Sequence, residues 1–131
     1  RVELAKVLSA KNIVVDPQNK SGKSNTKVNK VTKIKVCFTI RENSVAEAGT
    51  KDVYLRIIRP DEVVLPSGNG ETFEFKSEQV IYSAKRQLEY ENKDIDMCIF
   101  WDKNADLIPG AYTVILYAEG YEVGSATFTQ K

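Results

Sequence analysis

The chain has 131 residues, 42% of them hydrophobic, no histidine, and a formal net charge of +1. That is one domain's worth of chain, able to bury a core without metal or disulfide support and too apolar to stay disordered. The missing histidine removes the commonest general base and metal ligand, and no apolar run approaches the roughly 18 residues of a membrane span.

Residues 1–10 favour a short helix by propensity, with Leu4, Ala5 and Leu8 on one stripe. They read either as a frayed helix or as the last turns of a coiled-coil stalk. Arg1-Val2-Glu3-Leu4 lacks a signal peptide's charged-then-apolar start, and the absent initiator Met leads us to expect a piece of a longer protein. Ile13-Val14-Val15 is a short strand, stopped by Asp16-Pro17, and residues 18–27 form an exposed polar loop. Val31 to Ile40 alternates as a strand with Ile34, Val36, Phe38 and Ile40 on one face. A loop follows from Arg41 to Lys51. Val53 to Arg59 is apolar on both faces and reads as a central strand; Pro60-Asp61 turns the chain, and Val63 to Leu65 pairs locally. Pro66 to Gly70 is the plainest loop. Thr72 to Lys76 is a short strand. Val80 to Tyr90 carries mixed signals and is taken as strand.

Ile95, Met97, Ile99 and Trp101 share a face of the next strand, and Asp102 to Pro109 is a turn. The last quarter is a β-hairpin. Tyr112, Val114 and Leu116 alternate with Thr113, Ile115 and Tyr117, and the strands meet at Glu119-Gly120. Tyr112 follows Leu107 to Ala111 as in the corner of immunoglobulin-like domains, where a tyrosine hydroxyl bonds to nearby backbone; a simple core tyrosine is the other reading. About eight strands at this spacing predict an all-β fold. We expect an immunoglobulin-like antiparallel β-sandwich with a short N-terminal helix: residues 1–10 as the end of a stalk, residues 11–131 as a single domain.

Several motifs invite chemistry. Gly22-Lys23-Ser24 suggests a phosphate loop, but the required earlier Gly is Pro17 and a strand, not a helix, follows. Asp102-Lys103-Asn104-Ala105-Asp106 opens like a calcium loop, but its sixth position is Leu107 and its twelfth Thr113. Neither a metal nor a cofactor is called for. Cys37 and Cys98 fall by parity on faces away from the apolar stripes. Free thiols are therefore the expectation, with a bond between neighbouring strands on the outer face as the alternative. With no His to activate it, a cysteine nucleophile is not expected. An enzyme would have to work with Asp94, Asp96 and Asp102 alone, and we expect none.

Charge is unevenly spread. Residues 1–41 sum to +8 and residues 42–131 to −7. Lys20, Lys23, Lys27, Lys30, Lys33 and Lys35 could together contact an anion, although the stretch has no interleaved aromatics. Their plain alternative is a solvated loop with edge-protecting lysines.

Val36 to Ile40, Tyr54 to Pro60, Phe100-Trp101-Asp102, and Pro109-Gly110 through Gly120 with Val123-Gly124 resemble an uncharacterised bacterial family. The resemblance implies an N-terminal membrane anchor, a long coiled coil and a C-terminal immunoglobulin-like β domain, with residues 1–10 ending the coiled coil. It implies a cell-envelope location, on the periplasmic side of an anchored parent, with the cytoplasm as the alternative. It assigns no functional residues. Glu62 stands where relatives carry a more turn-prone residue. The resulting expectation is a non-enzymatic interaction or scaffolding module with an unidentified protein partner and self-association through the upstream coiled coil. Nucleic acid is not the expected partner. The alternative function is weak anion or nucleic-acid binding through residues 20–35.

Overall fold

The computed structural model describes residues 7–131. Among the described residues the chain forms nine strands and no helix. They are β1 (Ala10–Gln18), β2 (Lys33–Ile40), β3 (Gly49–Ile58), β4 (Thr72–Phe75), β5 (Glu78–Ile81), β6 (Ala84–Tyr90), β7 (Ile95–Asp102), β8 (Gly110–Ala118) and β9 (Tyr121–Gln130). One antiparallel sheet has the order β1-β2-β7, a second the order β6-β3-β8-β9, and β4-β5 is a separate hairpin. The two larger sheets form a β-sandwich around one apolar core.

Period-two alternation builds that core. Ile34, Val36, Phe38 and Ile40 of β2 point inward and are at most 2% exposed. They lie in register with Trp101, Ile99, Met97 and Ile95 of β7. Val53, Leu55 and Ile57 of β3 and Tyr112, Val114 and Leu116 of β8 complete it from the other sheet, all fully buried. The Tyr112 hydroxyl donates to Ile108 O at 2.7 Å and accepts from Ile108 N at 2.9 Å. Tyr112 is thus the corner tyrosine rather than a plain core residue, and it clamps the turn that leads into β8.

The β4-β5 hairpin covers the outer face of the larger sheet. Phe73 stacks on Tyr54 with centroids 4.3 Å apart, and Phe75 meets Tyr117 edge-on at 4.8 Å. Ser83 ties this layer to the sheet, accepting from Ile57 N and donating to Leu65 O. Among the described residues nothing comparable covers the outer face of β1-β2-β7.

The expected helix over residues 1–10 is corrected where it can be seen. Residues 7–9 are not helical and Ala10 opens β1; residues 1–6 of that expectation lie outside the described residues. Leu8 enters the sandwich core at 2% exposure, and Arg41 N donates to Ser9 O, extending the β1–β2 pairing. These tertiary contacts outweigh a weak local propensity. β1 also runs past Asp16-Pro17, because Pro17 sits on an edge strand whose missing N–H costs no ladder bond. The edge lies close to β9: a Cβ on Gly124 would come within 2.8 Å of Ile13 Cδ1 and 3.1 Å of Ala10 Cβ.

The expectation of free thiols is overturned. Cys37 and Cys98 are directly opposite on β2 and β7, with Cα atoms 4.0 Å apart, and form a disulfide. The parity argument put both on the outer face correctly; it lacked the register that makes them partners.

Two predictions follow from this geometry. Converting Cys37 and Cys98 to Ser should leave a cooperative thermal transition, lowered by roughly 5–15 °C, since such a bond contributes about 2–4 kcal/mol. Loss of the transition would show that the core depends on the bond. Glu62, at φ 68°, occupies the left-handed region in the Arg59–Glu62 turn, a strained place for Glu. Glu62→Gly should raise the melting temperature by about 2–4 °C.

Candidate functional site

The β1–β2 loop, residues 19–32, carries Lys20, Lys23, Lys27 and Lys30, all exposed, and no acid. It is held by its backbone rather than loose. Asn19 Oδ1 accepts from Ser21 N and Lys23 N, at 2.9 and 3.1 Å. Asn25 N donates to Pro17 O, Thr32 N to Gln18 O, and Lys131 N to Thr26 O, while Val28 N donates back to Lys131 O. The loop is therefore stitched both to β1 and to the chain's last residue. Asp16 adds a clasp at its base: the Ser24 hydroxyl and the Gln18 amide both donate to its carboxylate. Those bonds, the one from Ser24 first, hold the Asp16 carboxyl below its ordinary range, with Lys35 adding to the effect.

Lys33 and Lys35 continue the same basic region onto the uncovered outer face of β2, where alternation puts them beside Cys37 and Thr39. Across the register from Lys35 stands Phe100 of β7, exposed to 47%. The Lys33 and Lys35 ammonium groups lie 5.7 and 5.9 Å from its ring centre. The aromatic that the lysine stretch lacks in sequence is supplied by the neighbouring strand. Three carboxylates share this face: Asp16 opposite Lys35, Asp102 opposite Lys33, and Asp96 farther along β7.

The structure thus gathers all six candidate lysines at one end and one adjoining face. Among the described residues, the ion pairs are Lys11–Asp94, Lys51–Glu119 and Arg59–Asp61, and none involves these six.

Beyond the β7 edge lies a cleft of about 470 Å³ lined by Phe100, Trp101, Asp102, Lys103, Lys85 and Glu71, among others. Its floor is fixed: the Trp101 indole N–H donates to Pro66 O at 2.8 Å, and the Asn104 amide reaches the same oxygen at 3.0 Å.

The three carboxylates considered for catalysis do not converge. Asp96 and Asp102 sit at opposite ends of β7, about 20 Å apart. Asp96 accepts from the Thr39 hydroxyl. Asp94 pairs with Lys11 at 2.8 Å and accepts from Glu42 N, and the bond from Lys11 first, then that from Glu42, depresses its pKa, the reverse of what a proton donor needs. Gly22-Lys23-Ser24 leads back to β1 through a bridge between Gln18 and Ser24, with no helix after it. Among the described residues no group of three or more acids or cysteines could hold a metal. No described helix is long and apolar enough to cross a membrane.

Residues 11–131 match the family described as a domain of unknown function, DUF8428, and the chain belongs to it. Among curated proteins no sequence matches the chain. In fold it is similar to the Pseudomonas fluorescens alkylpurine DNA glycosylase AlkC bound to DNA containing an abasic site analog. The TM-score is 0.50 at 13% identity, over 95% of this chain and 30% of that one. The chain therefore spans under a third of that enzyme's length.

The expectation of a scaffolding module is corrected here. The fold match leads to a DNA-bound enzyme, not to a scaffold. A docking module would also present a flat apolar patch. The exposed large apolar side chains do not gather into one patch: Val45 and Val63 lie in separate loops, Ile81 on β5 and Tyr121 on β9, while Val14 and Phe100 share the outer face of β1-β2-β7 with the disulfide between them.

The Asp16 clasp is testable by its pH dependence. With a folded pKa below the unfolded value, its contribution is present above the unfolded pKa and fades as pH falls through the folded one. Ser24→Ala should speed amide exchange at Asn25 and Thr32 near neutral pH and leave β3 and β8 unchanged. The difference from the parent chain should shrink under acid conditions, where Asp16 is protonated in both.

Proposed function

We propose that this domain binds nucleic acid through phosphate groups, without reading sequence and without chemistry of its own. One observation carries the reading: six lysines, none within ion-pair distance of a carboxylate among the described residues, are brought together by an ordered loop and the outer face of β2. Unpaired ammonium groups held by a rigid scaffold keep their charge available for phosphate, and phosphate contact positions a duplex or strand without specifying bases. That the solved structure of similar fold is a DNA-bound glycosylase adds support. The separated carboxylates and the absence of histidine favour a binding role over a catalytic one.

In this reading the sandwich is of the immunoglobulin-like class. Its support is the strand order β1-β2-β7 facing β6-β3-β8-β9, with the corner made by Tyr112. The Cys37–Cys98 bond at the surface supports a location where thiols are oxidised, as an envelope protein's outer domain would be. The DNA met there would be DNA outside the reducing cytoplasm.

The test is a titration of the chain with duplex and single-stranded DNA of unrelated sequences at rising salt. Affinity should be independent of sequence. It should fall roughly fifty-fold between about 50 and 200 mM salt, as three or four phosphate contacts require. Changing Lys20, Lys23 and Lys27 to Glu should weaken binding at least tenfold at low salt and flatten the salt dependence. Sequence-selective, salt-insensitive binding that survives those changes would overturn the proposal, as would no binding at low salt.

A further inference from the structure

The exposed phenyl ring of Phe100 is hard to explain as packing. At 47% exposure it sits on an outer face with lysines on its β2 side, while its other side opens on the cleft between β7 and the β6 edge. We propose that Phe100 is a stacking platform for an unpaired base, so that single-stranded nucleic acid is the preferred form of the polyanion. This rests on the phosphate-binding reading above and deepens it.

Three features carry the inference. First, β7 is an edge strand, so no further strand of its sheet covers the cleft side of the ring. Second, cations stand on the β2 side of the ring. Lys33 and Lys35 flank it, and the Lys20–Lys30 loop continues from the end of the sheet where β2 begins. On the cleft side Glu71 and Asp102 are balanced by Lys85 and Lys103, so the cleft carries no excess positive charge to compete with the lysine loop. A backbone held by the lysines on the β2 side would have Phe100 and the cleft within reach of its bases. Third, the cleft of about 470 Å³ accommodates a nucleobase, and its floor is rigid because Trp101 is buried and bonded to Pro66 O. A duplex keeps its bases stacked internally and gains nothing from the ring, whereas a single strand has a free π-face to offer.

The experiment is fluorescence anisotropy of the chain with a labelled oligothymidylate and with a duplex of the same length. The variants are Phe100→Ala, Phe100→Trp and the triple Lys20, Lys23, Lys27→Glu change, each first checked for an unchanged thermal transition. The parent chain should bind the single strand more tightly than the duplex. Phe100→Ala should cost the single strand about fivefold or more and the duplex less than twofold. Phe100→Trp should keep the preference, and its added indole should be quenched by oligothymidylate. If Phe100→Ala changes neither affinity, or both equally, stacking is refuted while the lysine changes still report on phosphate binding. If the parent chain binds neither nucleic acid at low salt, both readings fall. A merely structural role for Phe100 would move the melting temperature without moving the ratio of the two affinities.

Discussion

The alternation along β2 is the constraint on which the rest of the molecule depends. Ile34, Val36, Phe38 and Ile40 must face the core, and their burial to 0–2% excludes any slip by an odd number of residues. A slip by one residue would bury Lys33, Lys35 and Cys37 and expose four large apolar side chains, at roughly 1.5–3 kcal/mol for each. With that facing and the β2–β7 pairing in place, three surface features follow. The lysines point outward, Cys37 meets Cys98, and Phe100 stands beside Lys35. The core thus writes the outer face, and the functional reading of that face inherits the core's precision.

Coverage of the other sheet sharpens the contrast. Tyr54 and Tyr117 also point outward, yet the β4-β5 hairpin buries them under Phe73 and Phe75. The fold therefore supplies a lid where outward aromatics cluster, and leaves Phe100 uncovered among lysines. A lone aromatic with cations around it is cheap to expose, since the ammonium groups favour its π-face and keep the patch hydrated. β2 lies between β1 and β7, so Lys33 and Lys35 stand on the face of the sheet rather than at its edge.

Much of this was legible in the sequence because it depends on period two. The strands around Ile34, Val53, Ile95 and Tyr112 and the turn at Glu119-Gly120 all stand where alternation and turn chemistry placed them. The register between strands was not legible, since it is a non-local property that no single segment carries. That is why Cys37 and Cys98 read as separate thiols and why the lysines seemed to lack an aromatic. The start of β1 was missed for the same reason: Leu8 and Ala10 favour helix locally, and only the facing strands make them part of a sandwich. Scaffolding was inferred from a resemblance whose motifs are strand cores and turns, and such motifs carry fold alone.

The two sides of the sandwich are joined differently. On one side β1 closes against β9, where Gly124 leaves room for Ile13 and Ala10. On the other side Arg86 of β6 reaches across to Cys98 O at 2.6 Å and joins the two sheets near the disulfide. That contact bridges the middle of the β6–β7 side; beyond it β7 runs on through Phe100 to Asp102, where the cleft begins. The lysine loop opens at the same end, because β1 ends and β2 begins beside the last residue of β7. Cleft and cations are therefore neighbours by topology and not by local sequence.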